Sequence, residues 1–140
     1  MRALRRAFTL VEILIVVVIL GILASIVVPK FTNAVEQSSE TATLDQLDKV
    51  RRALAVYFVR NASAYPAITE GDGTWGELLP NYMRTAPVNA WVRPENSKKI
   101  VIGDHADSLW QGDYAWIYDP ATGNVYAGGF SAQDHAYPRE

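Results

Sequence analysis

The sequence predicts an α+β chain in which one very long N-terminal helix, apolar in its first half and amphipathic in its second, packs on a small antiparallel sheet. Three observations carry that expectation. Phe8 to Val28 is an apolar run whose only formal charge is Glu12. Leu47, Val50, Leu54 and Tyr57 then recur at the three- and four-residue spacing of a buried helical face. Toward the C-terminus, Tyr114-Ala115-Trp116-Ile117-Tyr118 and Val125-Tyr126-Ala127 flank a Pro- and Gly-containing turn. A length of 140 residues suits one domain. Its parts are a basic segment at 1–7, an apolar helical half at 8–29, an amphipathic helical half at 30–62 and a head at 63–140.

The apolar run comes first. Its 21 residues make a helix of roughly 31 Å at 1.5 Å per residue, enough to cross the hydrocarbon core of a bilayer. Arg2, Arg5 and Arg6 precede it, and Lys30 is the first charge beyond it. The positive-inside rule therefore holds the N-terminus in the cytoplasm and sends the rest across the membrane. A secretory signal peptide fits less well. The run exceeds the usual apolar core of such peptides, and Val27-Val28-Pro29-Lys30 lacks the small-x-small pattern of a cleavage site. A plain single-span anchor explains the run but not Glu12. A carboxylate inside a span is costly to insert unless neutralised, which marks it as functional.

The order of parts is specific: a basic leader, the small residue Ala7, the string Phe8-Thr9-Leu10-Val11-Glu12, then the apolar helix. Over residues 1–35 it resembles the type IV pilin superfamily, which includes the pseudopilins of type II secretion. The resemblance implies a pilin-like fold and a leader peptide at 1–7. A prepilin peptidase would cut between Ala7 and Phe8 and methylate the new amine of Phe8. Most family members carry Gly before the cut, where this chain has Ala7. Glu12 falls at the family's acidic position, fifth after the cut, and Gly21 and Pro29 match its helix-weakening positions.

Physical chemistry gives these residues roles. The amine of Phe8 and the carboxylate of Glu12 are opposite charges in a low-dielectric setting. Pairing them between neighbouring subunits offsets two desolvation costs and sets the axial register. Gly21 and Pro29 bracket a stretch that loses helical hydrogen bonds easily, because Pro29 has no N–H and crowds the carbonyl one turn back. Gly and Pro are also simply commoner in membrane helices.

Beyond Pro29 the helix should continue to about Arg60. Val35, Ala42 and Leu44 extend the apolar positions, while Glu36, Glu40, Asp45, Asp48, Lys49, Arg51 and Arg52 occupy the others. Asp45–Lys49 and Asp48–Arg52 are i,i+4 pairs in the favoured order, each contributing about 0.2–0.5 kcal/mol. So long a stripe also suits a coiled coil, but packing against the chain's own head is preferred. Asn61-Ala62-Ser63-Ala64-Tyr65-Pro66 reads as the end, because Pro66 disfavours helix at Tyr65.

All four Trp and six of the seven Tyr lie in the head and should pack in its core. The head is small for an independent core and should lean on the helix. Thr74-Trp75-Gly76-Glu77 resembles a capping box that opens a short helix through Tyr82, after a Gly71-Asp72-Gly73 loop. Pro87 and Pro94 mark irregular chain around Trp91. Ile100-Val101-Ile102 reads as a strand. Tyr114–Tyr118 alternates aromatics with smaller residues, so it should be a strand with two different faces. Asp119-Pro120-Ala121-Thr122-Gly123 turns the chain into the partner strand. Leu78-Leu79-Pro80-Asn81-Tyr82, Pro87-Val88-Asn89 and the Tyr-rich hairpin are loosely similar to the major pseudopilins.

Composition excludes several functions. Net charge is −2, and loss of the three leader arginines leaves 10 basic against 15 acidic residues, so no nucleic-acid partner is expected. Cysteine is absent, which removes thiol catalysis and Cys-ligated zinc. His105 and His135 lack helical metal spacing, and no nucleophile–base–orienter set is visible, so the chain should not be an enzyme. No cofactor is expected, with calcium the one candidate. Major pseudopilins commonly hold calcium in a sheet-side loop, and Asp104, Asp107 and Asp113 supply oxygens here. Calcium takes six to eight of them, and the spacing is not that of an EF-hand. Otherwise this is a solvated acidic loop.

The resemblance thus implies a structural subunit of a helical filament, held in the inner membrane with its head outside the cytoplasm. Its partners would be further copies of itself, a prepilin peptidase, an inner-membrane assembly platform and minor pilins or pseudopilins. The short head and the missing disulfide favour a periplasmic pseudopilus for type II secretion. The alternative is a surface type IV pilin for adhesion, motility or DNA uptake. A membrane-anchored binding domain that does not assemble would show neither cleavage nor dependence on Glu12.

Overall fold

The computed structural model describes residues 8–71 and 73–139. It divides into two compact units, Met1–Glu36 and Gln37–Glu140. Helix α1 (Leu10–Arg60, 51 residues) passes without a break through Pro29. It ends where the sequence anticipates. Asn61 donates its side-chain N–H to the Tyr57 carbonyl at 2.9 Å, and the Ser63 N–H reaches back to Phe58 O at 3.0 Å. Ala62 (φ 53°) and Ser63 (φ 62°) turn left-handed there, so the last carbonyls find donors and the chain leaves the helix axis.

In the second unit one side of α1 is buried: Thr43, Leu47, Val50, Ala53, Leu54 and Tyr57. Its apolar members share a single core with Trp75, Leu78, Ile100, Trp116, Tyr118, Val125 and Phe130. The expected stripe of Leu47, Val50, Leu54 and Tyr57 is therefore the packing face, with Leu44 at its margin. Ala42 and Val35 are exposed and do not belong to it. Trp75 sits edge-on to both Trp116 and Tyr118, with ring centroids 6.4 Å apart in each case. Each such large apolar side chain contributes about 1.5–3 kcal/mol by burial.

Strands β1 (Ile100–Ile102), β2 (Trp116–Tyr118) and β3 (Val125–Ala127) form one sheet in the order β1-β2-β3. The β2–β3 hairpin is antiparallel, as anticipated, pairing Trp116 with Ala127 and Tyr118 with Val125. Between them Gly123 adopts φ 71°. A Cβ there would stand 2.0 Å from the Tyr65 ring, so only Gly serves this turn. The β1–β2 pair is instead parallel, which makes the sheet mixed. The physical reason is the long connection from Gly103 to Ala115, which lets the chain cross over and return in the same direction. Both faces of β2 are covered: Trp116, Ile117 and Tyr118 are all buried in the central strand.

The capping-box helix does not form. Gly76–Leu78 is a single 3-10 turn with no side-chain cap bond. Gly76 takes φ 50°, and a Cβ there would lie 2.5 Å from Ala67 O, so the chain is held out of helical geometry. Glu77, expected to cap, instead accepts the Tyr57 hydroxyl at 2.5 Å. Pro80 then removes the donor a longer helix would need. Around Trp91 the chain is irregular as expected, with a second 3-10 turn at Pro94–Asn96.

A buried polar hub ties these pieces together. Asn89 is fully buried. Its side-chain N–H groups donate to Ala115 O at 2.9 Å and Gly128 O at 3.0 Å. Its side-chain oxygen accepts from the Trp91 N–H at 2.8 Å and from Thr43 Oγ1 at 3.2 Å. Thr43 Oγ1 in turn accepts the Ala90 N–H at 3.0 Å. Near the C-terminus Arg51 grips both carboxylate oxygens of Asp134, at 2.5 and 2.9 Å, and donates to Val125 O at 3.0 Å. The cysteine-free head is thus fastened by polar contacts.

Three tyrosines carry the alkaline limit of this fold. Burial, followed by the charges of Tyr65 and Asp119, pushes Tyr118 up to about 12. Burial, followed by its hydrogen bond to Asp107, raises Tyr114, and the bond to Glu77 raises Tyr57. A raised folded-state value favours the neutral phenol. Its stabilisation is complete below the ordinary tyrosine value of about 10 and is lost as pH rises through about 12. Phenolate absorbance followed against pH should show these three ionising late, together with loss of near-ultraviolet dichroism. Uniform ionisation of all seven tyrosines near the ordinary value, with the fold intact, would contradict this.

Candidate functional site

The first unit contains the N-terminal segment. Ala7, on the expected cleavage bond, lies outside the described residues. Phe8 is 81% exposed and precedes α1 directly. Thr9 occupies the position before the first helical residue, and Glu12 folds back on it. One oxygen of the Glu12 carboxylate accepts the Thr9 backbone N–H at 2.8 Å and the Thr9 hydroxyl at 2.9 Å. The Glu12 N–H donates to Thr9 Oγ1 at 3.2 Å. This is a reciprocal capping box, which supplies a partner to an N–H that hydrocarbon could not satisfy. Thr9 is thus a capping residue that the sequence reading passed over. Its signal was present: Thr-x-x-Glu immediately before an apolar run.

The apolar stretch that follows is long enough to cross a membrane, and none of its membrane-length window is buried. Gly21 lies within it with open space around the position a Cβ would take. Pro29 sits inside the unbroken helix. Nearby hydroxyls bond backward to the backbone, Ser25 to Ile22 O at 2.7 Å and Thr32 to Val28 O at 3.3 Å. Such bonds occupy carbonyls around a proline in a span. An exposed apolar helix of this kind needs lipid, or copies of itself, to cover it.

The acidic loop of the second unit does not gather its carboxylates. Asp104 pairs with the adjacent His105 Nδ1 at 2.6 Å, which holds its carboxyl below the usual range. Asp113 lies 3.7 Å from Arg93, largely in solvent. Asp107 turns inward and accepts from Tyr114, Gln111 and Gly129. Among the described residues no three His, Asp or Glu side chains group as a metal site. These residues, as placed, do not fit the calcium ion that the resemblance implies.

The comparisons with known proteins agree with this arrangement. The family described as a prokaryotic N-terminal methylation motif matches residues 2–28. Type II secretion system core protein G of Pseudomonas aeruginosa is 35% identical over 98 residues, covering 62% of this chain and 68% of that protein. Its counterpart in Vibrio cholerae is 32% identical over 133 residues, covering 91% of this chain and 82% of that protein. Type IV major fimbrial protein FimA of Dichelobacter nodosus is 37% identical over 54 residues, covering 39% and 35%. No solved structure matches. With an N-methylation segment, a capped apolar helix and a small helix-backed sheet, the chain belongs to the family of type II secretion system core protein G, the pseudopilins.

Proposed function

We propose that the mature chain is a building block of a type II secretion pseudopilus. Residues 8–29 hold it in the inner membrane, with residues 30–140 on the periplasmic side. A prepilin peptidase removes residues 1–7 at the Ala7–Phe8 bond and methylates Phe8. Glu12 then receives the Phe8 amine of a neighbouring subunit, which replaces its bond to Thr9 and fixes register. Gly21 and Pro29 allow local melting as apolar helices bundle in the filament centre. An assembly platform extracts subunits from lipid, minor pseudopilins join the same filament, and growth pushes folded exoproteins toward the outer membrane. The subunit performs no catalysis and binds no nucleic acid.

The reach of the similarity carries this reading. The core protein G match in Vibrio cholerae covers 91% of the chain, head included, whereas the fimbrial match covers 39%. Only the head separates a pseudopilus from a surface pilus, since both share the N-terminal design. A deletion strain assayed in parallel for exoproteins and surface filaments tests it. Exoproteins retained in the periplasm with surface filaments intact are expected. Lost surface filaments with normal secretion would make the chain a type IV pilin. An intact-mass measurement on the membrane form should show loss of residues 1–7 plus one methyl group; an uncut chain would overturn the processing step.

A further inference from the structure

Asp107 is the centre of the acidic loop, and every atom aimed at its carboxylate is a proton donor. One oxygen accepts the Tyr114 hydroxyl at 2.5 Å. The other accepts Gln111 Nε2 at 2.9 Å and the Gly129 backbone N–H at 2.7 Å. The Asp107 carbonyl accepts the Tyr137 hydroxyl at 3.2 Å. Gln111 closes the ring, donating to Tyr114 O at 3.2 Å and accepting the backbone N–H of Asp113 at 2.7 Å and of Tyr114 at 3.2 Å. Thus the Asp107 side chain joins the crossover loop, the approach to β2 and the turn after β3, and its backbone carbonyl adds the C-terminal tail.

A calcium ion needs the opposite chemistry. It wants six to eight oxygen lone pairs converging on it. Here three donors take up lone pairs of the Asp107 carboxylate, of which there are about four. Their hydrogens direct partial positive charge at the carboxylate and strengthen as bonds to an ionised acceptor. Asp104 and Asp113, the other candidates, lie at the solvent edge beside His105 and Arg93 rather than converging with Asp107.

We infer that this loop is fastened by Asp107 and protein donors in the role that calcium plays in the major pseudopilins it resembles, so that the head folds and assembles without calcium. The inference stands apart from the choice between pseudopilus and surface pilus. It concerns how the head is held rather than what the filament does.

The test uses the full chain purified from membranes in detergent. Thermal unfolding is followed by near-ultraviolet dichroism in excess calcium chloride and in excess EGTA, and equilibrium dialysis with radioactive calcium measures binding. The same midpoint in both conditions and no stoichiometric calcium are expected. A higher midpoint in calcium, or one calcium per chain, overturns the inference. Tyr114→Phe removes a single donor and keeps the ring, so it should fold with a midpoint lowered by about 4–8 °C, equally in calcium and in EGTA. An unchanged midpoint in Tyr114→Phe would show that the hub does not fasten the loop. Asp107→Asn should fall further, with the same indifference to calcium; rescue of Asp107→Asn by calcium would also overturn the inference.

Discussion

Glu12→Ala should leave the chain inserted in the membrane while filament growth stops. Two roles converge on this carboxylate. Within its own chain it caps the first turn through Thr9. In the proposed filament it neutralises the amine of a neighbour. The magnitudes differ. Loss of an N-terminal cap costs about 0.5–2 kcal/mol. Removing one partner of a buried ion pair costs about 3–5 kcal/mol, because the other charge is left stranded. At 1.4 kcal/mol per factor of ten, the second cost weakens subunit addition by about two to four orders of magnitude.

A companion variant separates the roles. Thr9→Val removes the hydroxyl and keeps the carboxylate. It should still make filaments, at modestly reduced yield, while Glu12→Ala makes essentially none. The readouts are sheared-filament yield, and membrane fractionation to verify insertion. Equal loss in both variants would assign Glu12 to capping alone. Normal filaments from Glu12→Ala would end the pairing proposal.

The second large effect should come from a residue far from the membrane. Asn89→Leu is expected to abolish the folded head. Asn89 has no exposure and serves four partners, two carbonyls, one N–H and one hydroxyl. Leu is of similar size but leaves all four without it. A stranded buried polar group costs about 1–3 kcal/mol, and total stability is about 5–15 kcal/mol, so the sum approaches the whole. Thr43→Val should be milder, because it strands chiefly the Ala90 N–H and one side of Asn89. Thr43→Ser, which keeps the hydroxyl, should recover most of that loss. Limited proteolysis of membranes carrying each variant reads the order. A protease-resistant Asn89→Leu head would show that the hub is dispensable.

The pattern of success in the sequence has a physical cause. Leu47, Val50, Leu54 and Tyr57 were legible because a helical period is a local property, and their burial follows from it. The β2–β3 hairpin was legible because Pro120 and Gly123 announce a turn. Thr43 continues the same period four residues before Leu47 and is buried with it, though it is polar. The Thr9–Glu12 cap was a local signal passed over; the other main failures were decisions between distant segments. Gly76 fits a capping box in the string Thr74–Glu77, but it takes φ 50°, outside right-handed helical geometry, and lies close against the Ala67 carbonyl. The parallel placement of β1 beside β2 follows from how a long loop closes, which no local period encodes.

By itself the sequence determined the order of parts: a basic N-terminal segment, an apolar stretch long enough to cross a membrane with one carboxylate, a long helix and a head built around aromatics. Those features rest on charge, length and periodicity, which act between neighbours along the chain. Only the tertiary structure decided how the polar groups are spent. It gave Glu77 to Tyr57, Arg51 to Asp134, and Asp107 to Tyr114, Gln111 and Gly129. A carboxylate in a sequence can face water, a cation or a donor. Which it faces depends on the segments folded against it, because hydrogen bonds demand contact distances that only packing supplies.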